Sequence, residues 1–309
     1  MKTSLMKKTV LSVSLFLMAG LTGCNGSLPA SAPEQAQEEA PQPTEEELAA
    51  IRRVETLEPL LEEAESLAQS YRYEEAAAVL AKAPEEFAQD EEVTAALTRY
   101  KEAESAFVPY DQPVRHIFFH SLIVDTSLAF DGDYMENGYN YWMTTVDEFK
   151  AMLEQLYANQ YILIDIHELC EEVTDEKGNV TLEAKQPLVP EGKIPLVLSV
   201  DDLSYYEYMK EDGFPRKLLL DENGEVKNLY IDKDGRENIG DYDVVPILDT
   251  FVKEHPDFSL RGARGIIAAT GYEGTLGYRI NDLESPTLKE DRETVRALAD
   301  RLKETGWLF

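Results

Sequence analysis

The chain has 309 residues and carries 60 acidic against 29 basic side chains, a net charge of −31. A surface this acidic repels nucleic acid and anionic headgroups, so neither a nucleic-acid interface nor a basic membrane patch is expected. A hydrophobic content of 43% is ordinary for a folded protein, and the length suits one large domain with a smaller one.

The first residues are cationic at Lys2, Lys7 and Lys8, and an apolar run follows from Val10 to Leu21. A spanning helix needs about 20 apolar residues, so this run is short for a span and suits the core of a secretory signal. It ends in Leu21-Thr22-Gly23-Cys24, which resembles the lipobox of bacterial lipoproteins. That resemblance implies cleavage before Cys24, lipid on Cys24, and a protein held on the extracytoplasmic face of the cell membrane by its acyl chains. Residues 1–23 are read accordingly as a signal peptide. Residues 24–43 are rich in Pro, Ala, Ser, Gln and Glu with almost no large apolar side chains, the composition of a disordered tether. With Cys24 acylated, Cys170 has no intrachain partner. Its neighbours in Ile166-His167-Glu168-Leu169 favour a small buried hydrophobe over a reactive thiol.

Residues 44–107 read as a helical module. Thr44-Glu45-Glu46-Glu47 has the capping-box pattern, and Leu57, Leu60, Leu61, Ala64, Leu67 and Ala68 recur at helical spacing. Further helices are expected over Tyr73–Lys82 and Asp90–Ala106. The stretch from Ala68 to Ala76 resembles the turn of a tetratricopeptide-type helical hairpin, but it covers about one repeat, and such repeats need neighbours to bury a core. A short spacer, or a docking module for a protein partner, is the expected role.

Residues 109–309 alternate strand-like and helical runs. Strands are expected at Arg115–His120, Tyr161–Ile164, Ile194–Val200 and Gly265–Thr270. Helices are expected at Thr145–Gln160 (with Val146, Phe149, Met152, Leu153 and Leu156 on one face), Val244–His255 and Leu288–Thr305. This order indicates an α/β fold on a parallel sheet, open or closed into a barrel. Asp221–Asp241, with turn signals at Asn223-Gly224 and Asp234-Gly235, reads as a polar excursion, a hairpin between two main elements. Four aromatics, Tyr134, Tyr139, Tyr141 and Trp142, share one polar loop, where packing is a commoner role than sugar stacking.

In parallel α/β folds the working residues sit at the carboxyl ends of strands. Asp201 and Asp202 follow directly on an apolar strand. The segment Leu198-Ser199-Val200-Asp201-Asp202-Leu203 resembles the T-F-D-D-G motif of polysaccharide deacetylases, and the flanking order, from the strand ending in His120-Ser121-Leu122 to the acidic pair, is similar too. The resemblance spans roughly residues 113–309 apart from the polar excursion. It implies a partial (β/α) barrel. It also implies that Asp201 is a general base, and that Asp202 ligates a divalent metal, zinc or cobalt-like, with two histidines. The activity implied is hydrolytic removal of acetyl groups from an acetylated polysaccharide of the cell wall or cell exterior.

There are departures. Leu203 replaces the motif glycine, which is tolerable if the turn needs no positive φ. The H-x-x-x-H metal motif expected downstream is missing, since only His255 follows Asp202, at a helix end. His116 and His120 have that spacing, but on a strand it spans about 13 Å, too far for one ion. The final Gly306-Trp307-Leu308-Phe309 resembles the lead-in to that motif. The chain is therefore read as incomplete at its C-terminus, lacking its metal-binding histidines and inactive as 309 residues. The alternative is a non-catalytic surface lipoprotein that binds glycan or docks a partner.

Overall fold

The computed structural model describes residues 42–309, so the expected signal peptide, Cys24 and most of the tether lie outside the described residues. Four helices come first: α1 (Glu45–Arg52), α2 (Glu58–Gln69), α3 (Tyr73–Leu80) and α4 (Glu91–Ser105), with a π-helical turn at Arg53–Leu57 between the first two. Their spacing of Leu57, Ala64, Ala76, Val79, Leu80, Val93, Ala96 and Tyr100 buries one small core. Asp90 caps α4 by accepting from the Glu92 and Val93 amides, as a short carboxylate at a helix start should. The α2–α3 turn is sharp, with Tyr71 at φ 62°. It also ties the helices to the α/β part of the chain: the Arg261 amide donates to Ser70 O at 2.8 Å, and Tyr71 joins the cluster of Phe107, Val189, Val197 and Leu260.

The remainder is mixed α/β, with short helices α5 (Thr126–Ala129) and α6 (Glu136–Trp142) and long helices α7 (Val146–Ala158), α8 (Val244–Glu254) and α9 (Leu288–Glu304). Thr145 and Glu148 form a full capping box at the start of α7, which fixes where that helix begins. Among the described residues the strands make four separate sheets, and none closes into a barrel. The main sheet is parallel. Its central strand β7 (Ile194–Asp201) pairs with β2 (Arg115–Phe119), with β3 (Tyr161–Leu163) at its start, and with β11 (Ile266–Ala268) at its end. One face of this sheet, through Leu196, Leu198, Val200, Phe119 and Ile267, packs on Phe149 and Leu153 of α7, on the apolar side of α8, and on Leu298 and Leu302 of α9. On the opposite face Phe118 is 57% exposed.

The excursion at 221–241 is more than a hairpin. β8 (Lys217–Leu220), β9 (Val226–Ile231) and β10 (Glu237–Gly240) form an antiparallel meander, turned at Gly224 and Gly235. A second hairpin, β4 (Cys170–Thr174) with β5 (Val180–Ala184), was not expected from the sequence. Cys170 opens it opposite Ala184 and is half-buried, not sunk in a core, because a two-stranded ribbon has no second layer to cover it. A last small sheet pairs β1 (Val108–Pro109) with β6 (Leu188–Val189). Met152, expected on the inner face of α7, lies on the solvent side, while Phe149 and Leu153 are buried. Trp307 is buried and Leu308 bridges Ile266, extending the sheet edge beyond β11.

Candidate active site at the end of the central strand

The apolar strand β7 ends on Asp201, and there the backbone turns through three left-handed residues: Asp202 at φ 67°, Leu203 at 44° and Tyr205 at 53°. The Asp202 amide donates to Ala268 O at 3.1 Å, and the Leu276 amide to Leu203 O at 2.8 Å, so the turn is stitched to the segment after β11. The turn does need positive φ at the position where the resembling motif has glycine. Leucine is held there by burial, since Leu203 is fully enclosed in the main core. Residues in such conformations cost about 1–3 kcal/mol each and persist only where the surroundings over-determine them.

A single guanidinium supplies much of that determination. Arg279 Nη1 donates to Ser204 O and to Glu273 O, each at 2.9 Å; Nη2 donates to Tyr205 O at 2.5 Å; and Nε donates to Glu207 at 3.0 Å. These bonds clasp the loop after β7 to the loop after β11. Gly274, at φ 92°, lies so close to Tyr278 O that a β-carbon would meet it at 2.0 Å. Glycine is therefore required at that crossing.

Asp201 is half-buried and accepts from Ser199 Oγ at 3.2 Å, while His116 Nε2 lies 2.9 Å from the same Oγ. Ser199 has one hydroxyl proton. If it donates to the carboxylate, it must accept from His116, which places the imidazole proton on Nε2. The register adds a second histidine. Phe119, the last residue of β2, pairs with Val200, so His120 follows directly beyond the strand near the level of Asp201. His116 and His120 flank the Phe118 ring and cannot chelate one ion together.

Beneath the turn lies a buried polar network. Asp243, fully enclosed, caps α8 by accepting from the Val244 amide at 2.8 Å, and its same oxygen accepts from the Leu122 amide at 3.0 Å. Burial lifts the Asp243 carboxyl to about 6, against the pull of those amides and of the Tyr205 and Ser121 hydroxyls. The Tyr205 hydroxyl accepts from Asn228 Nδ2 at 2.9 Å, and burial, with the charge of Asp243, raises the phenol well above its ordinary range. One oxygen of this carboxyl thus joins the loop after β2 to the start of α8, while its other oxygen is buried without a hydrogen-bond partner.

The implied divalent ion fits this chain poorly. Of the four histidines, His116 is bonded to Ser199, His167 to Asp165, and His255 packs on Tyr157 and Phe251. Among the described residues no group of three or more His, Cys, Asp or Glu side chains could hold a metal ion. Asp202 alone does not make a metal site.

Sequence reasoning named Asp201 and Asp202 at this strand end, and His120 only as the end of the first strand and half of a pair too far apart for one ion; it did not single out Asp243 or Arg279. The strand His116–His120 was visible. Its register against β7, which brings His120 near the level of Asp201, was not. Of the aromatic loop, Tyr139 is buried against Phe214 and donates to Asp212 at 2.5 Å, while Tyr134, Tyr141 and Trp142 are exposed. Among the described residues no helix is long and apolar enough to cross a membrane. No family model matches the chain, no curated protein matches it, and no solved structure matches it.

Proposed function

We propose that the chain carries the acid–base half of a polysaccharide deacetylase-type site, on part of a (β/α) barrel, in a lipoprotein anchored through Cys24 outside the cytoplasm. The observation that carries the reading is the pair Asp201-Asp202 at the carboxyl end of the central parallel strand, with Asp202 in strained left-handed backbone. A parallel sheet offers its strand ends as the working rim. In this reading Asp201 takes the proton of a water attacking the acetyl carbonyl. Ser199, itself bonded to His116, holds the carboxylate oxygen that is not in use. Ser199 and His116 are positioning residues, since neither reaches past Asp201.

The reaction is hydrolysis of an N-acetyl or O-acetyl group on an extracellular or cell-wall glycan, releasing acetate. Asp202 would be one ligand of a zinc- or cobalt-like ion. Acetate release from an N-acetylated chitooligosaccharide tests it. The expected result is acetate release by the protein with Zn2+ or Co2+ supplied, and loss of that turnover in Asp201→Asn. Turnover that survives Asp201→Asn refutes the assignment. The acidic surface favours no nucleic-acid partner. A non-catalytic glycan-binding role is the second reading, favoured by the exposed rings of Tyr134, Tyr141 and Trp142.

A further inference from the structure

Three tyrosines crowd the acidic turn and take no part in the reading of Asp201 as a base. Tyr206 and Tyr208 follow the turn itself, and Tyr272 comes from the loop after β11. The rings of Tyr206 and Tyr208 stack at 5.6 Å and 13°, and Tyr272 leans on Tyr206 at 5.8 Å and 60°. Tyr205 beside them is buried, yet Tyr208 is 48% and Tyr272 68% exposed. A single exposed aromatic needs no explanation, but two rings from different loops, both packed on Tyr206, form a continuous patch.

The patch is rigidly mounted. The Arg279 clasp fixes the backbone at Ser204, Tyr205 and Glu273, and the Glu207 amide donates to the Glu273 carboxylate at 2.9 Å. The Tyr206 hydroxyl lies 3.4 Å from Thr270 Oγ1. Burial comes first in raising the Tyr206 phenol, and the Asp202 charge adds to it. Burial also leads at Tyr208, where Tyr206 and then Asp202 add to it. The Tyr206 and Tyr208 rings therefore stand within the field of Asp202. Ordering costs on binding are small for aromatics already held in place.

We propose that Tyr206, Tyr208 and Tyr272 form a sugar-stacking subsite beside Asp202 that takes the apolar face of a pyranose ring in an uncharged, N-acetylated glycan. This rests on the reading of the site as glycan-directed and names where that glycan sits. The ligand class follows from the chemistry of the patch. Rings offer flat apolar area, while Thr270, Glu273 and Asp202 around them offer partners for hydroxyl groups, the mix typical of small-ligand sites. The carboxylates at the rim and the net charge of −31 repel an acidic polymer such as a polyuronate or a polyphosphate chain, which leaves a neutral one. An extended protein segment would also be drawn to exposed tyrosines, and the test separates the two.

The experiment measures binding of N-acetylated chitotetraose by calorimetry and by chemical-shift perturbation. It compares the chain with its Tyr208→Ala, Tyr272→Ala, Tyr208→Phe and Tyr272→Phe variants. Near-ultraviolet circular dichroism checks the fold, which exposed positions should keep. Each alanine variant should bind at least about fivefold more weakly, each phenylalanine variant within about twofold of the parent, and an oligouronate of the same length should not bind. No binding of chitotetraose by the parent, equal binding by the alanine variants, or equal loss in the phenylalanine variants overturns the subsite. Binding that depends on the rings, with no acetate released by any form of the protein, leaves the subsite standing and removes the deacetylase reading. Acetate release indifferent to Tyr208→Ala and Tyr272→Ala does the reverse.

Discussion

Replacing Asp202 by glycine should leave the fold as stable as before or strengthen it, although it deletes a proposed functional side chain. Asp202 sits at φ 67°. An L-residue in that region costs roughly 1–2 kcal/mol relative to right-handed backbone, less for aspartate than for most. Glycine removes that strain but frees the unfolded chain, at a cost of about 0.5–1 kcal/mol. The net expectation is about 0 to +1 kcal/mol, or up to roughly 4 °C in Tm for a domain of this size. Leu203 is the control. It has the same kind of backbone, at φ 44°, but its side chain is fully buried in the main core. Leu203→Ala keeps the strain and empties the site, so it should lose about 2–5 kcal/mol. Urea titration read by near-ultraviolet circular dichroism measures both, with equal slopes required before the midpoints are compared. A loss above about 1 kcal/mol for Asp202→Gly would refute the reasoning, because it would make the carboxylate a structural group and the turn a cap.

Further outcomes are expected at the same end of the sheet. The Asp243 carboxyl is lifted from 3.8 to about 6, so it favours the fold when neutral. That contribution is complete below pH 3.8 and is lost as pH rises through 6, a change on the order of 3 kcal/mol. Asp243→Asn, which keeps an acceptor for the Leu122 and Val244 amides, should therefore gain stability relative to the parent between pH 4 and pH 7; a difference independent of pH in paired denaturation series would count against it. Arg279→Lys should free the clasped loops, raising amide hydrogen exchange at residues 203–208 and 272–276 while α7 and β3 stay protected, since an ammonium cannot reproduce the fork that joins three carbonyls. Gly274→Ala should destabilise by more than about 2 kcal/mol, because it adds both a β-carbon against Tyr278 O and an unfavourable positive φ, readable as a fall in Tm.

Much of the fold was legible where burial imposes a period. Helices α7, α8 and α9 begin and end within about two residues of expectation, because each carries an apolar stripe, and Thr145 and Asp243 mark two of their starts. Strand β7 was legible as an apolar run because it is buried on both faces. The hairpin of β4 and β5 was not. Its residues Glu171, Glu172, Glu183 and Thr181 are exposed, so no alternation of apolar and polar side chains records it, and the backbone ladder alone holds it. In the meander the two turns announced themselves through Asn223-Gly224 and Asp234-Gly235, but β8 hid because Leu218 is its single fully buried side chain.

The site divides along a different line. Asp201 and Asp202 could be found because chemistry and a strand end coincide within one short segment. Asp243 and Arg279 could not, because Asp243 reaches Leu122 across 121 residues of sequence and Arg279 reaches Ser204 across 75. Leu203 departs from expectation: the turn takes positive φ without glycine. That outcome has consequences for what the turn is for. Three non-glycine residues of left-handed backbone and one buried ionisable carboxyl gather at one end of one strand. Selection for stability alone would place glycine in the turn and a neutral amide at the cap. Arg279 and the enclosed Leu203 offset the strain, and what that arrangement secures is two adjacent carboxylates held half-open at a sheet rim, beside a wall of tyrosine rings. Strain kept in place by a clasp, with charge at its tip, is what the proposed site at this turn would require.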